Sequence, residues 1–130
     1  MTDGAKIRIC AAGMAKNYIA TAAKAAGGDL VDVEITSDMA GAKKVKAGEA
    51  DYFIGSCWSG QGGALSIAIA VLGYSNCAMV TTQAGMPPAE KIKARVNEKD
   101  WKAFGINAAH AETAIPIMVE ALLERRGLKK

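Results

Sequence analysis

Tyr52-Phe53-Ile54-Gly55-Ser56-Cys57-Trp58-Ser59-Gly60-Gln61-Gly62-Gly63, continuing as Ala64-Leu65-Ser66-Ile67-Ala68-Ile69-Ala70-Val71-Leu72, reads as a short apolar strand, a glycine-rich turn and an apolar helix. It sits within 38 consecutive residues, 52–89, that carry no charge in a chain that is 22% charged. Charged side chains are almost never fully buried without a partner, so a stretch this depleted marks the buried centre of a fold. A glycine turn between a buried strand and a helix directs backbone N–H groups outward. It is therefore a natural place to hold an anion.

Strand and helix signals alternate on both sides of this centre. Residues 7–11 read as a first strand, and 14–26 as an Ala-rich helix stopped by Gly27-Gly28. Residues 30–35 alternate apolar and acidic, as a half-exposed edge strand does. Ser37 or Asp38 caps a helix running to Gly48. Residues 52–56 form the third strand, 77–81 a fourth, 89–97 a charged surface helix and 103–107 a short fifth strand. A last amphipathic helix spans 109–126, where Pro116 marks either a kink or the true first turn.

Repeated βα units predict an α/β fold: a three-layer α/β/α, Rossmann-like arrangement with a four- to five-stranded, mainly parallel sheet. The expected order is 2-1-3-4(-5), with residues 1–130 forming one domain. In that order ligands bind at the carboxyl ends of strands one and three, where the chain reverses direction. The loop from Cys10 through Gly13 to Asn17 would meet the loop from Cys57 to Gly63 there. Thr81, Thr82 and Gln83 would form a third wall.

Composition narrows the function. A net charge of +3 is too small to argue for nucleic acid. Arg125, Arg126, Lys129 and Lys130 at the end complement a helix C-terminus. The apolar helix 64–72 falls well short of the ~20 residues of a membrane span, so the chain is not expected to cross a bilayer. The polar start and the early Arg8 predict no secretory signal. Three cysteines, Cys10, Cys57 and Cys77, are odd in number and lack metal-site spacing, which predicts reduced thiols and a cytoplasmic location. No Ser-His-Asp set, phosphate loop or metal cluster is legible, and neither metal nor cofactor is expected.

The segment 51–74, with Lys44-Val45-Lys46-Ala47-Gly48 before it and Ala114-Ile115-Pro116 after it, resembles the small bacterial YhfU-like family, a domain of unknown function. That resemblance implies a gene product found near transporter-like membrane proteins and small-molecule enzymes, hence a role accessory to metabolite uptake or sugar metabolism. A membrane transporter is the partner so implied.

Two local resemblances offer chemistry. Cys10-Ala11-Ala12-Gly13-Met14 after a strand is similar to the phosphocysteine loop of phosphotransferase-system IIB proteins, in which a thiolate accepts a phosphoryl group. The hydroxyl positions of that loop are here Ala15, Lys16 and Asn17. Cys10 also reads simply as a small buried strand residue. Cys57-x-x-Gly60-x-Gly62 resembles ribose-5-phosphate isomerase B, where the cysteine is the base and loop N–H groups stabilise an enediolate. That family's Asp-His pair after strand one is missing here.

The candidate site is thus Cys57 and Cys10 as catalytic thiols, with Gly13, Lys16, Asn17, Ser59, Gly60, Gln61, Gly62 and Gly63 as ligand-binding residues. The expected ligand is a small anionic or phosphorylated metabolite. The uncharged, Ala- and Gly-rich centre also suits self-association into a homo-oligomer. Trp58 reads as a ligand platform or an oligomer contact, and Trp101 and Phe104 as anchors of the last helix. Lys43, Lys44 and Lys46 read as a solvated helix face, and His110 as a capping or surface residue.

Overall fold

A computed structural model describes residues 6–58 and 65–128. Five strands alternate with five helices: β1 (Ile7–Ala11), α1 (Lys16–Gly27), β2 (Val31–Ile35), α2 (Asp38–Lys46), β3 (Tyr52–Cys57), α3 (Ser66–Leu72), β4 (Cys77–Met79), α4 (Ala89–Asn97), β5 (Ala103–Asn107) and α5 (Ala111–Arg125). Every pairing in the sheet is parallel. The α/β reading holds, with β3 at the centre and β2 at an edge.

The strand order is β2-β1-β3-β5-β4, so the fifth strand lies between the third and the fourth rather than outside it. The reason is burial. All five residues of β5 are buried, and Phe104 sits between Ile54 of β3 and Ala78 of β4. β4 is only three residues long, which suits an edge, where one side needs no ladder.

Right-handed crossovers then set the layers. Leftward steps (β1 to β2, β4 to β5) put α1 and α4 on one face. Rightward steps (β2 to β3, β3 to β5's far neighbour β4) put α2 and α3 on the other. The packing agrees, since α5 lies against α1 and α4 while α2 packs on α3. The larger core lies under α1, α4 and α5 and includes Ile9, Ile54, Phe104, Ile115 and Met118. The smaller lies under α2 and α3 and includes Cys10, Phe53, Leu65 and Ala68.

Local signals account for the helix boundaries. Ser37 Oγ accepts from Ala40 N at 3.1 Å and caps α2. Pro116 lies inside α5, beyond its first turn, where it cannot donate to the carbonyl four residues earlier. Trp101 anchors α4: its Nε1 donates to Arg95 O at 2.9 Å, and Arg95 and Lys99 lie over its ring. Phe104 belongs to the core beneath α5.

An ionic cluster closes the amino end of the sheet, opposite the strand ends where a ligand would bind. Asp51 Oδ2 accepts from Arg8 N at 2.8 Å and from Arg8 Nε at 3.3 Å, and Arg126 lies 3.4 Å from Oδ1. Burial pushes the Asp51 carboxyl up, but the Arg8 hydrogen bonds and the Arg126 charge outweigh it and hold it below the usual range. A carboxylate depressed in the folded state stabilises the fold above its unfolded pKa and loses that contribution as pH falls through the folded value. We expect Asp51→Asn to cost about 2 kcal/mol at neutral pH. The difference between the two proteins should shrink in acid as Asp51 protonates. Urea unfolding across pH checks both statements, and a gap that stays constant into strong acid would rule out the ionic account.

Candidate functional site

Because the strands are parallel, their carboxyl ends lie on one edge, and the N-termini of α1, α3 and α5 open there. β1 and β3 are neighbours, yet α1 leaves over one face and α3 over the other, the arrangement at which open α/β sheets bind ligands in a crevice. β5 is the next neighbour of β3, with Asn107 opposite Cys57.

On the β1 side the loop is stitched to β3. Ala12 N donates to Ile54 O at 3.0 Å and Met14 N to Ser56 O at 3.2 Å. Ser56 Oγ accepts from Ala15 N at 2.9 Å and donates to Ala12 O at 3.0 Å. Lys16 N donates to Gly13 O at 3.2 Å. Four of this loop's amides are therefore used within the fold. Gly13 allows it: its φ is +91°, and a Cβ there would stand 2.1 Å from Ser56 O. What the loop presents outward is side chains, namely Met14, Lys16 and Asn17, all exposed.

The two candidate thiols have different settings. Cys10 is 1% exposed and faces the α2 side, in the core that also holds Phe53. Burial pushes its thiol up and the Glu34 charge adds to this; Lys44 and the Thr36 hydroxyl pull the other way without offsetting it. That setting works against a thiolate. Cys57 ends β3 at the crevice and is only partly buried. Trp58 follows it with 60% of its surface exposed. Cys77 is buried on β4, its thiol raised by burial. Ser59, Gly60, Gln61, Gly62 and Gly63 lie outside the described residues.

The end of β5 takes the place expected for the loop after β4. Thr81 is fully buried, and its Oγ1 accepts from Asn107 N at 2.9 Å, so it supports β5 from behind. Asn107 Oδ1 accepts from Ala109 N at 2.9 Å and shapes the turn into α5. His110 follows at the α5 N-cap position. This wall was hidden in the sequence because its place depends on strand order. The available signal was local: an uncharged strand, then Asn, then a helix, repeating the strand-turn-helix pattern of β3.

Other concavities lie elsewhere. One of about 780 Å³ is lined by α1 and β2 residues including Thr21, Lys24 and Asp32. One of about 410 Å³ lies between α1 and α5 beside Tyr18 and Pro116. A hollow of about 210 Å³ borders Cys10 from the β2 side. None is lined by Cys57, Trp58 or Asn107. They lie on the outer surface, away from the carboxyl end of β3 and the loop after β1. Among the described residues no group of His, Cys, Asp or Glu could hold a metal, and no helix is long and apolar enough to cross a membrane.

Residues 7–122 match a family described as "Protein of unknown function DUF2620". The chain is also similar to the uncharacterized protein YhfU of Escherichia coli (strain K12) and to its counterpart in Shigella flexneri. Each is 36% identical over 115 residues, which cover 88% of this chain and 97% of the relative.

Proposed function

This chain belongs to the DUF2620 family, whose function is unknown, so its own geometry must carry the functional reading, and we propose that it binds a small anionic, phosphorylated metabolite at the strand-end crevice. The observation that carries the proposal is the divergence of α1 and α3 to opposite faces from adjacent parallel strands. Because the β1 loop spends four of its amides internally, the glycine-rich residues 59–63 are the proposed source of backbone N–H groups for the anion. Lys16 and Asn17, exposed in the first turn of α1, add a cation and an amide from the other side.

In this reading the protein is a binder. The setting of Cys10, buried with a raised thiol, gives phosphotransfer little support. Cys57, partly buried at the crevice, makes isomerase-like base chemistry the better-supported enzymatic alternative. Self-association draws support from α3, which is apolar after Ser66, has Ala68 as its one buried residue, and is followed by the exposed Tyr74.

Inorganic phosphate tests the binding proposal. A ligand at a hundredfold excess over its Kd stabilises the native state by about 2.7 kcal/mol. Phosphate should therefore raise the melting temperature, relative to sodium chloride at equal ionic strength. Gly62→Val should abolish that rise in a protein that still unfolds cooperatively. A variant with an intact fold and an unchanged phosphate response would sink the proposal.

A further inference from the structure

The sequence contains one histidine, His110, and its place between β5 and α5 puts it on the same edge as the proposed crevice. The backbone around it is satisfied by other groups. Asn107 Oδ1 holds Ala109 N, and His110 O accepts from Thr113 Oγ1 at 3.2 Å. The ring itself does not cap the helix. Its Nδ1 is buried and has no hydrogen-bond partner among the described residues, while the residue as a whole is only partly buried.

An unpaired buried nitrogen is costly, and native proteins keep few of them. A ring that serves only to cap or fill the surface would be expected to pair this atom or turn it to water. Its position gives it a use. β5 is adjacent to β3, Asn107 stands opposite Cys57, and His110 lies three residues further along, beside the N-terminus of a 15-residue helix. The field at that terminus favours negative charge.

We infer that His110 is the ligand-reading group on the β5 side of the crevice, its imidazole donating a hydrogen bond from Nδ1–H to an anionic oxygen of the phosphate or carboxylate class. This rests on the binding reading above and adds to it a residue from a third strand. Meeting an arriving oxygen requires the ring to turn the buried Nδ1 outward about χ2, a torsion with broad wells.

A single histidine makes the test direct, because its ring C–H signals in a proton NMR spectrum belong to one residue. Inorganic phosphate, against sodium chloride at equal ionic strength, should shift those signals saturably. His110→Ala should weaken phosphate binding about tenfold, and His110→Gln, which keeps an N–H donor, should recover part of the loss. Since Nδ1 makes no bond among the described residues, His110→Ala should change the phosphate-free melting temperature little. If phosphate stabilises the protein while the ring signals stay fixed and His110→Ala binds normally, this inference is overturned and the crevice proposal stands. If phosphate neither stabilises the protein nor moves the ring, both fall. A His110→Ala protein that melts earlier but binds phosphate as before would assign the ring a structural role and also overturn the inference.

Discussion

Gly13→Val should be the most damaging single substitution in the β1 loop, lowering stability by about 4 kcal/mol. Two costs combine. The backbone at Gly13 has φ +91°, which L side chains rarely adopt. The new Cβ would also stand 2.1 Å from Ser56 O and 2.7 Å from Ser56 N, both backbone atoms with little freedom to move. Relief would require the loop to lift off β3. That would break the Met14-to-Ser56 hydrogen bond and both Ser56 hydroxyl bonds, leaving buried polar groups unpaired. Gly48→Ala separates the costs: Gly48 has φ +81° but nothing within 4 Å of the added atom. It should lose only about 1 kcal/mol, from strain alone. Urea midpoints for the three proteins decide the matter, and equal losses in both variants would remove the close approach to Ser56 from the account.

Phe104→Ala should cost about 3–5 kcal/mol through lost burial and the cavity left behind. Phe104 is fully buried in the larger core, the second residue of β5, with its ring 6.0 Å from that of Tyr52. It faces the helices α1 and α5 that enclose the core, so the space cannot be filled by a surface shift. Tyr52→Phe is the useful comparison, because it removes only the hydroxyl that accepts from Arg126 Nε at 3.2 Å. That change should cost about 1 kcal/mol. The slope of the urea transition should be the same in both variants. A loss below 1 kcal/mol for Phe104→Ala would mean that β5 is not central to the sheet.

The elements were legible because each has a local cause. Val31, Asp32, Val33 and Glu34 alternate because β2 is an edge strand with one face on the core. Ser37 is visible as a cap because its hydroxyl answers an amide only three residues away. The absence of charge from 52 to 89 marked β3 as central because charges are excluded from both faces of a middle strand. Cys57 was read as the first residue of the glycine loop, and the structure makes it the last residue of β3.

The position of β5 was not legible. Parallel neighbours are joined by helices rather than tight turns, so local sequence does not say which strand lies beside which. Residues 77–79 and 103–107 are both short and uncharged, and only the competition for two-sided burial places β5 inside and β4 at the edge. That decision put Asn107 opposite Cys57 at the carboxyl end of the sheet, with Thr81 supporting it.

By itself, then, the sequence determined the αβ alternation, the buried centre and the edge of the sheet where the chain changes direction, because periodicity, capping and charge act over a few residues. Tertiary structure alone decided that Ser56 ties down the β1 loop 41 residues before it and that Arg126 reaches Tyr52 across 74 positions. Those outcomes depend on which surfaces meet when helices and sheet close on one another, and no local pattern records them.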